Sequence, residues 1–180
     1  MYNSLTGKKS IEENKDYCGG NVFTLTQPAE AKDLKYSEKD FEITFKVQHN
    51  SFSSRLLSGG NDTDYDLGFE LLNKTNNIIE IIWDQSLYIN REGNSNKIVP
   101  GGVKFISADQ AIVPTVIAPN SKSQNSFIPK PMIFFQNGEW HILHYDYGDY
   151  VGSIVGLLLR LKINNEVVNK SFKFKICAHK

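Results

Sequence analysis

The sequence predicts an all-β protein, a sandwich of antiparallel strands, with a barrel as the alternative closure. Three observations predict it. Apolar residues recur with a period of two in one segment after another, the signature of a strand with one buried face. Runs rich in Asn, Gly and Pro separate those segments and supply the backbone conformations that turns require. No amphipathic helix of ten or more residues can be drawn in the 180-residue chain, and residues 28–34 (PAEAKDL) make at most one short turn.

The elements follow in order. Residues 21–26 (NVFTLT) open the strand series. In 41–47 (FEITFKV), Phe41, Ile43, Phe45 and Val47 alternate with Glu42, Thr44 and Lys46. In 65–71 (YDLGFEL), Tyr65, Leu67, Phe69 and Leu71 form the apolar face, and Asp66, Gly68 and Glu70 the wet one. Residues 77–83 (NIIEIIW) are apolar on both faces and β-branched, which predicts a central strand with Trp83 plugging the core. Shorter strands are expected at 86–90, 103–106, 132–136 and 140–145. Residues 157–163 (LLLRLKI) put Leu157, Leu159, Leu161 and Ile163 on one face. Residues 172–177 put Phe172, Phe174 and Ile176 inward, and Lys173, Lys175 and Cys177 outward. The turns lie at 73–77, 90–96, 100–102 and 136–138, and residues 163–167 (INNEV) read as a tight hairpin.

The chain length suits a single domain at 20–180, preceded by a loosely held lead-in at 1–19. Twenty basic residues balance twenty acidic ones, so no long-range field draws nucleic acid or an anionic membrane, and no nucleic-acid partner is expected. No apolar run approaches the roughly 20 residues of a spanning helix. The first twenty residues are polar and lack the apolar core of a signal peptide. Either the protein is cytosolic, or an exported precursor has lost its leader. Asn-x-Ser/Thr sequons occur at Asn61, Asn73 and Asn169. Two readings of the cysteines stand side by side. Cys18 and Cys177 form a bridge in an oxidising compartment, or they are two unpaired thiols.

Two stretches invite chemistry. Asp62, Asp64 and Asp66 sit at alternate positions ahead of Gly68 and Glu70. Counted from Asp62, an EF-hand loop would need Gly at position 6 and Glu at position 12, where Leu67 and Asn73 stand. A weak cation site on a strand face is what remains, against the plainer reading of a solvated acidic face. The second stretch, 139–150 (EWHILHYDYGDY), gathers Trp140, His144, Tyr145, Asp146, Tyr147 and Tyr150. On a strand His141 and His144 fall on opposite faces, which argues against a joint metal site. A His144–Asp146 pair would serve a hydrolase, the least favoured reading. Tyrosines around Gly148 give rigid, amphipathic contact area, as in binding loops. The plain alternative is tyrosines packed on a sandwich edge. No phosphate loop and no nucleophile elbow is present.

Residues 69–106, followed by 114–129, resemble a group of uncharacterised bacterial predicted lipoproteins and exported proteins. The resemblance rests on Asn73-Lys74-Thr75, Trp83-Asp84, Tyr88-Ile89, Gly93-Asn94, the 103–106 stretch, and Ile117-Ala118-Pro119-Asn120-Ser121 with Ile128-Pro129. It implies an immunoglobulin-like antiparallel β-sandwich on the extracytoplasmic side of a bacterial membrane. It implies no reaction. Cys18 follows Lys15-Asp16-Tyr17 rather than a lipobox, so membrane attachment is expected only through a lipid anchor on a precursor. The resulting expectation is a non-enzymatic cell-envelope module that contacts a protein partner and needs no cofactor. The alternative is a carbohydrate-binding module, calcium-assisted or not, using Trp140, Tyr145, Tyr147 and Tyr150.

Overall fold

A computed structural model describes residue 18 and residues 22–49, 65–143 and 150–178, the side chains of Gln48, His49, Tyr65 and Asp66 excepted. Thirteen strands are present among them: β1 (Phe23–Gln27), β2 (Lys35–Ser37), β3 (Phe41–His49), β4 (Tyr65–Asn73), β5 (Ile79–Ile81), β6 (Leu87–Ile89), β7 (Ser95–Pro100), β8 (Thr115–Ile117), β9 (Lys122–Pro129), β10 (Ile133–Gln136), β11 (Glu139–Ile142), β12 (Ile154–Ile163) and β13 (Glu166–Ile176). The main sheet runs β1-β13-β12-β6-β7-β9-β4-β3-β2, with β5 against β12 and β8 outside β5. Every pairing is antiparallel, and the whole is a nearly closed, barrel-like sandwich. The β7–β9 ladder, Ile98 to Pro100 against Pro129 to Phe127, joins the two layers at one end. The all-β expectation holds, and the sandwich and barrel readings meet in one structure.

The inward faces are those set by the period-two pattern. Phe41, Ile43, Phe45, Leu67, Phe69 and Leu71 are buried in one layer. Leu157, Leu159, Leu161, Ile163, Phe172, Phe174 and Ile176 are buried in the other. The layers meet through rings: Phe45 stands edge-on to Phe172 at 4.8 Å and to Phe174 at 4.7 Å, the arrangement that aromatic quadrupoles favour. The tight hairpin between β12 and β13 is present, with Asn164 at φ 52° and Asn165 at φ 67°. Positive φ at both central positions matches the right-handed twist of the flanking strands.

Three expectations are corrected. The 77–83 segment is flanked by strands as predicted, but only Ile79–Ile81 is strand, and it buries one face: Glu80 turns outward to Lys162 at 3.2 Å. Trp83–Gln85 then forms a 3-10 turn. The ladder with β12 survives the interruption because Ser86 substitutes for backbone. Its fully buried hydroxyl donates to the Ile82 carbonyl at 2.9 Å and accepts the Arg160 N–H at 3.0 Å. Buried backbone groups need partners, and this hydroxyl serves two of them. Second, the predicted strand at 103–106 is absent. A 3-10 turn at Phe105–Ser107 leaves Ile106 72% exposed, because the chain swings out of β7 at Gly101-Gly102 and bonds to itself. Gly102 takes φ 87°, open mainly to glycine. Third, Cys177 does not point outward with the lysines. The regular ladder ends at Ile176, and Cys177 is buried, its N–H on the Val22 carbonyl at 2.8 Å.

Candidate functional site

The two layers have distinct ends. β12 meets β6 near Gly156 and β5 near Ile163. Asn73, Ser121, Asn77 and Asn164 are joined by hydrogen bonds, so the 73–77, 118–121 and 164–165 turns share the Ile163 end. The β3–β4 pairing runs from Phe41–Asn73 there to His49–Tyr65 at the opposite end, where β9 also finishes.

The β10–β11 hairpin grows from that opposite end and lies outside the main sheet. Its turn residues, Asn137 at φ 54° and Gly138 at φ 84°, suit a two-residue hairpin. Ile133 anchors the base in a small second core with Val99 and Ala108, edged by Phe105 and Ile128. The ladder is extended by the Leu143 N–H on the Met132 carbonyl at 2.7 Å. Beyond the base, apolar residues face water. Phe135 pairs directly across from Trp140, ring centroids 5.2 Å apart, and Trp140 also meets Phe105 edge-on at 6.2 Å. On the other face Phe134 stacks on His141 at 5.3 Å. Phe135 is 59% exposed and Trp140 41%, with Phe134 and Leu143 exposed beside them. Large apolar groups are thus gathered on one exposed hairpin rather than scattered singly over the surface.

Tyr150 lies in a different setting. Its ring sits 3.9 Å beneath the Arg91 guanidinium, a cation–π contact, and it lines a small pocket of about 110 Å³ with Tyr88, Asn90, Glu92, Val155 and Ile176. A hydrogen bond from Arg91 holds the Glu92 carboxyl below its ordinary range. Trp140 and Tyr150, read together in sequence, thus belong to two environments. His144, Tyr145, Asp146 and Tyr147 lie outside the described residues, as do Asp62 and Asp64 and the side chain of Asp66. Glu70, on the same acidic strand face, takes Lys46 at 3.2 Å and Lys122 at 3.4 Å. The Lys46 hydrogen bond is the main reason its carboxyl is held low. Among the described residues no three His, Cys, Asp or Glu side chains come together as a metal site.

Trp83 is 1% exposed, tilted against Phe69 at 6.2 Å and donating its Nε1–H to Thr115 Oγ1 at 2.8 Å. It belongs to the core, not to a sugar platform. Asp84 beside it is pulled up by burial, but Lys97 and the Ile112 N–H outweigh that and hold it below its usual value. Cys18 and Cys177 form a disulfide, Cα atoms 5.8 Å apart and 159 residues apart in sequence.

The Asn73 sequon is closed to modification in the folded chain. Asn73 is fully buried, its amide donating to the carbonyls of Asn77, Ile117 and Ala118 and accepting from Thr75. The periodic strand pattern could not find this network, since Asn73 is the last residue of a strand and its partners come from two later turns.

The class of protein this defines is an antiparallel, barrel-like β-sandwich with an aromatic hairpin at one end and a cystine joining Cys18 to Cys177 just past the last strand. Comparison with known families, with curated proteins and with solved structures finds no match to this chain.

Proposed function

We propose that the protein is a non-enzymatic module of the bacterial cell envelope that binds a protein partner through the β10–β11 hairpin. The exposed Phe135–Trp140 pair carries this reading. Aromatic residues that are already packed against one another lose little side-chain entropy on binding, and tryptophan is enriched at the energetic centre of protein interfaces. The rings project from a base held by its own small core, so the surface is presented rigidly. The Cys18–Cys177 bridge supports the extracytoplasmic setting, because such bonds persist in oxidising compartments. An immunoglobulin-like relation is supported by two facing antiparallel layers with a tryptophan buried against their inner faces. The continuous β7–β9 ladder is a departure from a simple two-sheet sandwich. Attachment to the membrane would come from a lipid anchor on a precursor.

The test is site-specific photocrosslinking in intact cells. A photoreactive residue at Phe135 should trap a discrete partner, one at the exposed Asn169 should not, and Trp140→Ala should abolish the adduct. Identical adducts from both positions, or none, would refute the hairpin reading. Thiol trapping in the same cells checks the compartment independently: freely alkylated Cys18 and Cys177 would remove the envelope assignment.

A further inference from the structure

At the end remote from the hairpin, three turns converge on a cleft of about 480 Å³ lined by Asn76, Asn77, Asn164, Asn165, Ile78, and the Glu80–Lys162 pair. We propose that this asparagine-walled cleft binds a neutral saccharide, with the amides taking its hydroxyls and Ile78 its apolar face.

Turn geometry accounts for only part of the asparagine content. Asn164 and Asn165 adopt positive φ, as does Asn120, where asparagine is favoured for backbone reasons alone. Asn76 and Asn77 do not; their amides are used in bonds across the turns. The walls are also held in place. Asn73 Nδ2 donates to the Asn77 carbonyl at 2.7 Å and Thr75 Oγ1 to the same oxygen at 2.8 Å. Asn77 Nδ2 donates to Asn164 Oδ1 at 2.7 Å, and Asn120 Nδ2 to Asn76 Oδ1 at 3.2 Å. The amides of Asn76, Asn77 and Asn164 are each fixed at one end and have capacity left at the other. Among the described residues Asn77 Oδ1, Asn164 Nδ2 and the Asn165 amide take no side-chain or backbone partner.

That residual set contains both donors and acceptors, and a hydroxyl is itself both. A carboxylate or phosphate ligand would want a cluster of cations. The one lysine of the cleft is already neutralised by Glu80 at 3.2 Å, so no net field selects for charge. Ile78, about half exposed at the cleft, offers an apolar patch for the C–H face of a sugar ring. The volume lies within the roughly 300–1,000 Å³ of small-ligand clefts. Because the Asn76, Asn77 and Asn164 amides are already restrained, binding costs little further ordering at those three.

Titration of the ¹⁵N-labelled protein with maltose, cellobiose and di-N-acetylchitobiose tests this. Side-chain amide signals of Asn77, Asn164 and Asn165 should shift and saturate with at least one sugar at about 10 mM, above a millimolar dissociation constant. Asn165→Gly keeps a residue suited to positive φ and removes one amide, and should weaken binding about two- to tenfold with the remaining spectrum intact. Asn77→Ala should weaken it further. Silence from all three sugars overturns the proposal, as does a response confined to the Trp140 indole. An N-acetylated trialanine amide that shifts these signals where the sugars do not would reassign the cleft to peptide.

Discussion

The two ends of this sandwich solve the same geometric problem with opposite surfaces. Both turn strands through two residues at positive φ: Asn137-Gly138 in the hairpin, Asn164-Asn165 between β12 and β13. At the hairpin end the second pair from the turn is Phe135 and Trp140, which leave apolar area in water. At the far end the neighbours are other asparagines, which bond to each other across turns. The difference lies in what fixes each surface. The hairpin leans on a small apolar core of its own. The asparagine end is fixed by one buried amide, Asn73, which reaches three carbonyls. A backbone turn therefore sets where a surface is presented, and its neighbours set what that surface can bind.

Perturbations should separate the two ends. The largest effect is expected from the cystine, which closes a 159-residue span. Cys18→Ser with Cys177→Ser should lower the unfolding free energy in urea by up to about 5 kcal/mol through the freed unfolded chain. The Asn77 and Asn164 amide signals should stay unchanged. Loss of those signals would mean the ends are not independent.

Asn73→Ala comes next. It strands the buried carbonyl of Ile117 and removes the bond to the more open Ala118 carbonyl, and should cost about 2–3 kcal/mol in the same measurement. The Trp140 fluorescence should keep its wild-type maximum while the asparagine end loosens. A cost under about 0.5 kcal/mol would show that water replaces the amide.

Trp140→Ala should reverse that pattern. Trp140 is substantially exposed and packs only on Phe105 and Phe135 among the described rings, so the stability loss should stay below about 1 kcal/mol while partner adducts disappear. A loss of several kcal/mol would make the ring structural rather than a contact group.

The smallest effect is that of acid. Glu38 is pulled up by burial, yet the Lys170 and Tyr36 hydrogen bonds win and leave its carboxyl below the ordinary 4.5. A group depressed in the folded state stabilises above its unfolded pKa, and that contribution fades as pH falls through the folded value. Stability should therefore decline below about pH 4.5, and Glu38→Gln should flatten the slope. An unchanged slope in the variant would assign the acid sensitivity to other carboxylates.

Much of the fold is legible in the chain. Phe41, Ile43 and Phe45 and Leu157, Leu159 and Leu161 announce their strands by alternation, and the two asparagines of 163–167 announce their hairpin. β9 is not legible. Its sequence, KSQNSFIP, buries only Phe127 fully, because Ser123 and Asn125 occupy its inward-leaning positions and bond to each other. β2 and β8 are three residues long, too short to show a period. Of the candidate site, Trp140 and Tyr150 are legible by residue type as aromatic contact candidates. Their separation into a hairpin cluster and an arginine-capped pocket is not, since it depends on Phe105 and Arg91 arriving from other elements.

By itself, then, the chain determined the all-β class, the inward residues of the long strands and the buried place of Trp83, because period and turn chemistry are local properties. Tertiary structure alone decided the Ser86 bridge that carries β12 past a break, the burial of Cys177 beside Val22, and the meeting of the 73–77 turn with Ile117, Asn120 and Asn164. Each joins groups dozens of residues apart. A hydrogen bond of that kind depends on how two turns are brought together, and no window of sequence contains both partners.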